Sequence, residues 1–325
     1  MARALRAWAI NRRGKNSVRN LRYGPRTRLV RGIYANSIFC PQKAFILRLE
    51  LVPKQMANSF SYEAALAYKQ SSLSIQNVDG KKFIETDVCP QAGEAILDLG
   101  CGTGELSAYL AEVVGPEGKV VAVDQDKERL LRAQKSYGEV KNLSFVQGNA
   151  SKFPGIGSES YDIIFSNHVI HWIRDKQEVF KNMFQSLRGG GKIAIQYVDH
   201  LHPFALNAFK VLNPETAEHI CEFMYQCEEK DTIERLCSSA GFHIIKSYDT
   251  ESEQLVFESF ESLLKCLWSI THGVFDPKLV TEERLQRYYQ YPNLSSKPPF
   301  DFRGIKEEST ICRLIAVKQV RGDPH

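Results

Sequence analysis

Residues 1–49 contain no aspartate or glutamate, while Arg3, Arg6, Arg12, Arg13, Arg19, Arg22, Arg26, Arg28, Arg31 and Arg48 crowd the same stretch. The chain's formal charge of +4 is concentrated there, and without that segment the chain is mildly acidic. A basic average is therefore no argument for a nucleic-acid partner. No apolar run approaches the roughly eighteen residues of a membrane span, and the basic-apolar-small order of a secretory signal is missing. The eight cysteines form no C-x-x-C pair and no Cys/His spacing of a zinc site. Scattered thiols in a chain of this length read as reduced and intracellular, with no metal expected.

The acid-free segment, residues 1–55, reads as a basic, disordered extension ahead of a domain at 56–325. It resembles a mitochondrial transit segment in composition, yet Gly24-Pro25 and Gly32 interrupt any amphipathic helix. The other reading starts the protein at Met56. The expected location is the cytoplasm in the second case and the mitochondrial matrix in the first.

Ala95–Gly104, A-I-L-D-L-G-C-G-T-G, organises the rest. Ile96, Leu97 and Leu99 predict a short strand buried on both faces. Gly100, Gly102 and Gly104 follow at alternate positions and lead into a helical pattern over 105–114. Strand, glycine turn and helix form the context that gives a glycine pattern meaning as a cofactor site. About twenty residues further on, where a Rossmann-type site reads a ribose, Asp124 ends the next apolar strand. The nicotinamide fingerprint G-x-G-x-x-G is not met. Asp98 stands two residues before the first glycine, where an anion would repel a pyrophosphate but suit an ammonium and a sulfonium.

In these residues the chain resembles the class I S-adenosylmethionine-dependent methyltransferases. Strands at 96–99, 119–123, 143–147, 161–166, 192–197, 242–248 and 310–320 alternate with helices at 105–114, 127–137 and 176–187, the last ended by Gly189–Gly191. Asp126 suits the N-cap of the helix after Asp124. Further helices are expected at 62–70, within 72–89, at 231–239, 260–267 and 281–291. This pitch predicts an α/β fold, a doubly wound, mostly parallel seven-stranded Rossmann-like sheet. Stretches at about 200–230 and 255–302 are too long for plain connections and are expected to form a helical substrate cap.

Ligands of such sheets bind at the carboxyl ends of the strands. Asp98 and Gly100 are accordingly assigned to the methionine end of S-adenosylmethionine, Gly102 to the cofactor-binding turn, Asp124 to the ribose, and Gln125, Asn149 and Ala150 to the adenine edge. Asn167 is assigned to the methionine moiety. The N-P-P-F or D-P-P-Y signature of amino-group methylation is absent after the fourth strand, where S-N-H-V-I-H-W stands instead. With L-R-G-G-G-K-I-A-I and A-G-F further on, this stretch resembles the group of trans-aconitate, malonyl-carrier-protein and juvenile hormone acid methyltransferases. That resemblance implies a small carboxylic acid, apolar or polycarboxylic, esterified with Gln76 and Trp172 holding the carboxylate. The enzyme would be a monomer or homodimer. Alternatives are a small hydroxyl or thiol acceptor, with His168 or His171 as base, or a non-catalytic S-adenosylmethionine-binding protein.

Overall fold

The computed structural model describes residues 76–201, 203–250, 256–257, 260–290, 300–301 and 311–320. All of them fall within Pro53–His325, one of two units into which the chain divides. The extension at 1–55, the helix expected over 62–70 and most of 291–302 lie outside the described residues.

The chain begins its described course with α1 (Gln76–Phe83), which passes into a π turn at Ile84–Val88. β1 (Ala95–Leu99), α2 (Glu105–Val114), β2 (Lys119–Asp124), α3 (Lys127–Tyr137) and β3 (Leu143–Gln147) follow in alternation. Next come β4 (Tyr161–Asn167), α4 (Lys176–Ser186) and β5 (Leu187–Val198). Three helices, α5 (Pro203–Leu212), α6 (Pro214–His219) and α7 (Lys230–Ser239), lead to β6 (His243–Asp249). The last part holds β7 (Val256–Phe257), α8 (Phe260–Ile270), α9 (Glu282–Tyr289), β8 (Phe300–Asp301) and β9 (Ile311–Val317).

Seven strands form one sheet in the order β3-β2-β1-β4-β5-β9-β6, with β7 and β8 paired separately. β1 to β5 pair in parallel, and β9 runs antiparallel to both β5 and β6. Strand order reverses between β1 and β4, so a crevice opens at their carboxyl ends. The apolar runs lack alternation because both faces are covered. Ile96, Val120, Ile163 and Phe165 pack with Leu106 and Leu110 of α2 on one side. Leu97, Val121, Ile164 and Ile193 pack with Val179 and Phe180 of α4 on the other. A third cluster, including Phe209, Leu263, Leu267, Phe275 and Tyr288, joins α5, α8 and α9.

Two expectations are corrected. Gly189–Gly191 do not end α4, since β5 already starts at Leu187. Tyr161 pairs with Leu187 and Ile163 with Lys192, so an advance of two residues in β4 is matched by five in β5. The glycines form this irregularity, where Gly190 takes φ +83 and its N–H donates to the Lys318 carbonyl at 2.7 Å. Val78, an apolar residue of the helix expected within 72–89, is 59% exposed, and Phe83, Ile84 and Val88 carry the burial instead.

Candidate functional site

The loop after β1 turns back onto β2. The amide groups of Gly100 and Cys101 both donate to the Val123 carbonyl, at 2.7 and 2.9 Å. Gly100 holds φ +86, and a Cβ there would stand 2.2 Å from Val169 Cγ2. Only glycine meets both demands. Asp124 ties the loop to the strand end, because its Oδ2 accepts from Gly102 N–H and its Oδ1 from Asp126 N–H, each at 2.8 Å. Each oxygen keeps a second lone pair for a hydroxyl donor. Asp126 caps α3 as expected, its Oδ1 accepting from Glu128 N–H at 2.9 Å and Arg129 N–H at 3.2 Å.

A cavity of about 290 Å³ opens at the switch point, lined among others by Gly100, Asp124, Gln125, Asn149, Ala150, Asn167 and Trp172. Seven residues singled out from the sequence are thus brought together. Asp98 and Gly102 do not line it. Asp98 is buried behind the loop, where its Oδ2 accepts from Ser107 Oγ at 2.5 Å. Burial pushes the Asp98 carboxyl up to about 7, opposed by the Ser107 hydrogen bond and assisted by the nearby Asp124 charge. Gln76 begins α1, and its side chain lies outside what is described. Asn149 is exposed, and its Oδ1 accepts from Ser151 N–H at 3.0 Å, a turn that still leaves one lone pair.

The cavity wall also holds Arg129, His168, Val169, Arg174 and His272. Of these, only His168 was singled out from the sequence. His272 follows α8, holds φ 53, and bonds through Nδ1 to Asp126 Oδ2 at 3.1 Å. Burial and the Arg129 charge push His272 below its ordinary value against the pull of Asp126. For Asp126, burial works upward, yet the His272 hydrogen bond and the Arg129 charge outweigh it and hold the carboxyl low. No local pattern announces His272, because 146 residues separate it from Asp126.

Trp172 is enclosed by rings. Its centroid lies 4.4 Å from that of Tyr225, and the His272 ring stands edge-on at 5.6 Å and 88°. His171 stacks on Tyr225 at 6.1 Å and 7°. Burial pushes His168 down to about 4, with Arg313 acting the same way and Asp79 against it. Burial, His168 and Lys176 hold His171 well below the ordinary range. Both rings are neutral near pH 7.

The site and sheet together define a class I methyltransferase. The family profile described as "Methyltransferase domain" matches residues 90–261, more than half of the chain. The chain belongs to this family, whose methyl donor is S-adenosylmethionine. The biotin biosynthesis bifunctional protein BioHC of Teredinibacter turnerae is 26% identical over 230 residues, 69% of this chain and 39% of that protein. The arsenite methyltransferase of Halobacterium salinarum is 35% identical over 114 residues, 34% of this chain and 29% of that one. The ubiquinone/menaquinone biosynthesis C-methyltransferase UbiE of Vibrio parahaemolyticus is 27% identical over 176 residues, 48% and 67% of the two chains. The chain spans well under half the length of the first two. Among solved structures, a chain from the complex of the Haloferax volcanii Trm112 methyltransferase activator with a methyltransferase gives TM-score 0.53. It is 14% identical, over 80% of this chain and 97% of that one. Phosphoethanolamine N-methyltransferase 2 of Haemonchus contortus gives TM-score 0.51 at 17% identity, over 80% and 58% of the two chains. At these identities the structures establish the fold.

The residues present fit the donor. Asn167 Oδ1 is a buried acceptor with no partner, and Asp124 retains lone pairs beside the cavity.

Proposed function

We propose that the chain transfers the methyl group of S-adenosylmethionine to a carboxylate of a small apolar or polycarboxylic acid, forming a methyl ester. The observation that supports this reading is that Trp172, which carries an indole N–H, and Arg174, which carries a guanidinium, both line the cavity. Arg174 is exposed and makes no ion pair among the described residues. Tyr225, Phe209 and the α5/α8/α9 cluster supply apolar surface beside it. We assign these helices to the substrate cap, within the boundaries read from the sequence.

S-adenosylmethionine, when bound, supplies an electrophilic methyl on a sulfonium. The protein's task is then to bind and orient. The Trp172 indole donates to one carboxylate oxygen and leaves the other to react, and the Gln76 amide is proposed to donate beside it. An amide and an indole orient the anion without the full neutralising charge of a lysine at the reacting oxygen. Arg174, further out, draws the acid in or holds a second carboxylate. No base is needed, because a carboxylate is ionised at neutral pH. Proximity and exclusion of water account for the rate. Asp124 takes the ribose hydroxyls, while Gln125, Asn149 and Ala150 flank the base.

The test is incubation with methyl-labelled S-adenosylmethionine and a panel of fatty, terpenoid and tricarboxylic acids. The expected product releases its label as methanol on mild base treatment. Label that enters product but resists base would place the methyl on carbon, nitrogen or an ether oxygen and overturn the reading. An arsenite acceptor draws no support from the site, since among the described residues no group of three His, Cys, Asp or Glu could hold a metal.

A further inference from the structure

A polar chain runs from the donor cavity into the sheet, and its hydrogens have one consistent placement. His168 follows β4 and lines the cavity, with its backbone N–H donating to the Gln196 carbonyl of β5 at 2.8 Å. Its ring Nε2 lies 3.3 Å from Gln196 Nε2. The Gln196 side chain is fully buried and held at both ends. Its Oε1 accepts from Arg313 Nε at 2.6 Å, and its Nε2 donates to Asp79 Oδ2 at 2.7 Å. Turning the amide over would set donor against donor at Arg313 and acceptor against acceptor at Asp79, so the network fixes its orientation. The second hydrogen on Gln196 Nε2 then faces His168 Nε2, which must accept it. Only a neutral ring with its proton on Nδ1 can do so. The other groups around the ring are Asp79 of α1, Arg313 of β9 and the neutral His171, and burial keeps His168 uncharged among them.

Among the described residues none bonds His168 Nδ1, so this N–H is what the ring offers to the cavity. The ring stands edge-on to His171 at 6.1 Å, and His171 in turn meets Trp172 at 5.6 Å. His168 thus belongs to the aromatic wall that carries Trp172.

We propose that Gln196 is a positioning residue, holding His168 as an Nδ1–H donor to the acceptor carboxylate beside Trp172. The assignment rests on the carboxylate reading above. It removes His168 as a base, because a ring with Nδ1 protonated and Nε2 engaged has no lone pair for a hydroxyl or thiol proton. As a carboxylate oxygen bonds to the methyl carbon, the carbon–sulfur bond breaks with its electron pair left on sulfur, and the carboxylate charge fades. An N–H held to that carboxylate is therefore strongest before reaction and acts on KM rather than on kcat.

Nitrogen NMR of the full chain with 15N-labelled histidine reads the tautomer. The His168 signals are those lost in His168→Gly, a substitution that suits φ 57. Near pH 7 the unaltered chain should show Nδ1 protonated and Nε2 bare. Gln196→Glu keeps an acceptor for Arg313 but turns an oxygen toward His168, and should move the proton to Nε2 or charge the ring. Kinetics on an accepted acid give the second readout. His168→Gly should raise KM roughly ten- to hundred-fold, the worth of one hydrogen bond to a charged group, with kcat little changed. His168→Asn should recover most of this, since its amide restores an N–H near the Nδ1 position. A proton on Nε2 in the unaltered chain, a tautomer indifferent to Gln196→Glu, or an unchanged KM in His168→Gly would overturn the proposal while the carboxylate reading stands. So would a loss of S-adenosylmethionine affinity in place of the KM change, which would put the N–H on the methyl donor. Absence of any accepted acid would overturn the carboxylate reading, and this proposal with it.

Discussion

Removing Asp79 should unlatch α1 from the sheet. Its salt bridge to Arg313 measures 2.6 Å, with side chains 6% and 5% exposed. Solvent therefore does little to screen the pair. In Asp79→Ala the buried guanidinium keeps Gln196 Oε1 at 2.6 Å, Tyr248 Oη at 3.3 Å and Asp87 Oδ2 at 3.4 Å. It loses its closest carboxylate. Breaking a buried pair from one side costs about 3–5 kcal/mol, and the remaining partners place this case near the lower end. Arg313→Met should cost a similar amount by stranding Asp79, while Asp87 keeps Lys246 and Tyr248. The double variant Asp79→Leu/Arg313→Met should then recover part of the loss, giving a coupling of about 1–3 kcal/mol. Urea unfolding followed by far-UV circular dichroism measures this, provided the slope is unchanged between variants. A cost below about 1 kcal/mol for Asp79→Ala, or strict additivity in the double variant, would show that the pair does not anchor α1.

Trp172→Phe keeps most of the ring surface and deletes the N–H, so kcat/KM on an accepted acid should fall by about 1–3 kcal/mol of transition-state stabilisation with donor affinity unchanged. Gln76→Ala should behave alike and combine with it less than additively, and full turnover in both variants would refute the carboxylate clamp. Gly100→Ala meets φ +86 and a 2.2 Å clash with Val169 together, and calorimetry should show at least about a tenfold loss of S-adenosylmethionine affinity. His168 is held down to about 4 from 6.5, so between those values the folded chain binds fewer protons than the unfolded one. Its contribution is full above pH 6.5 and is lost as pH falls toward 4, and His168→Asn, tolerant of φ 57, should flatten that part of the melting profile. Asp98, raised from 3.8 to about 7, acts in the opposite sense. Its folded form holds the extra proton, stability falls as pH rises across that window, and Asp98→Asn should remove the fall in donor-free protein. A chain beginning at Met56 is expected to fold and retain donor affinity, checked by soluble yield and titration.

The elements closest to the donor were the most legible, because each depends on neighbours in sequence. The β1 run, the three alternating glycines, the acid ending β2 and the Asp126 cap are local devices, and all stand where expected. The glycine triplet after α4 was misread because a helix stop and a strand irregularity use the same residue. What distinguishes them is the pairing of Leu187 with Tyr161 across the sheet. His272 and Arg313 were invisible for a different reason. Their partners lie 146 and 234 residues away, and neither stands in a pattern that marks it.

The position of β9 has a consequence for synthesis. The strand lies between β5 and β6 although it is the last to be made, and it carries the arginine that clasps a helix more than two hundred residues earlier. As the polypeptide leaves the ribosome, β1 to β5 can pair in turn. β6 has no neighbour to pair with until β9 emerges, and Asp79 waits without its cation for the same interval. Such distant closure is slow and leaves sheet edges unpaired meanwhile. A chain truncated before Ile311 should therefore be the form that chaperones hold and proteases cut, and extension through Val317 should abolish that sensitivity.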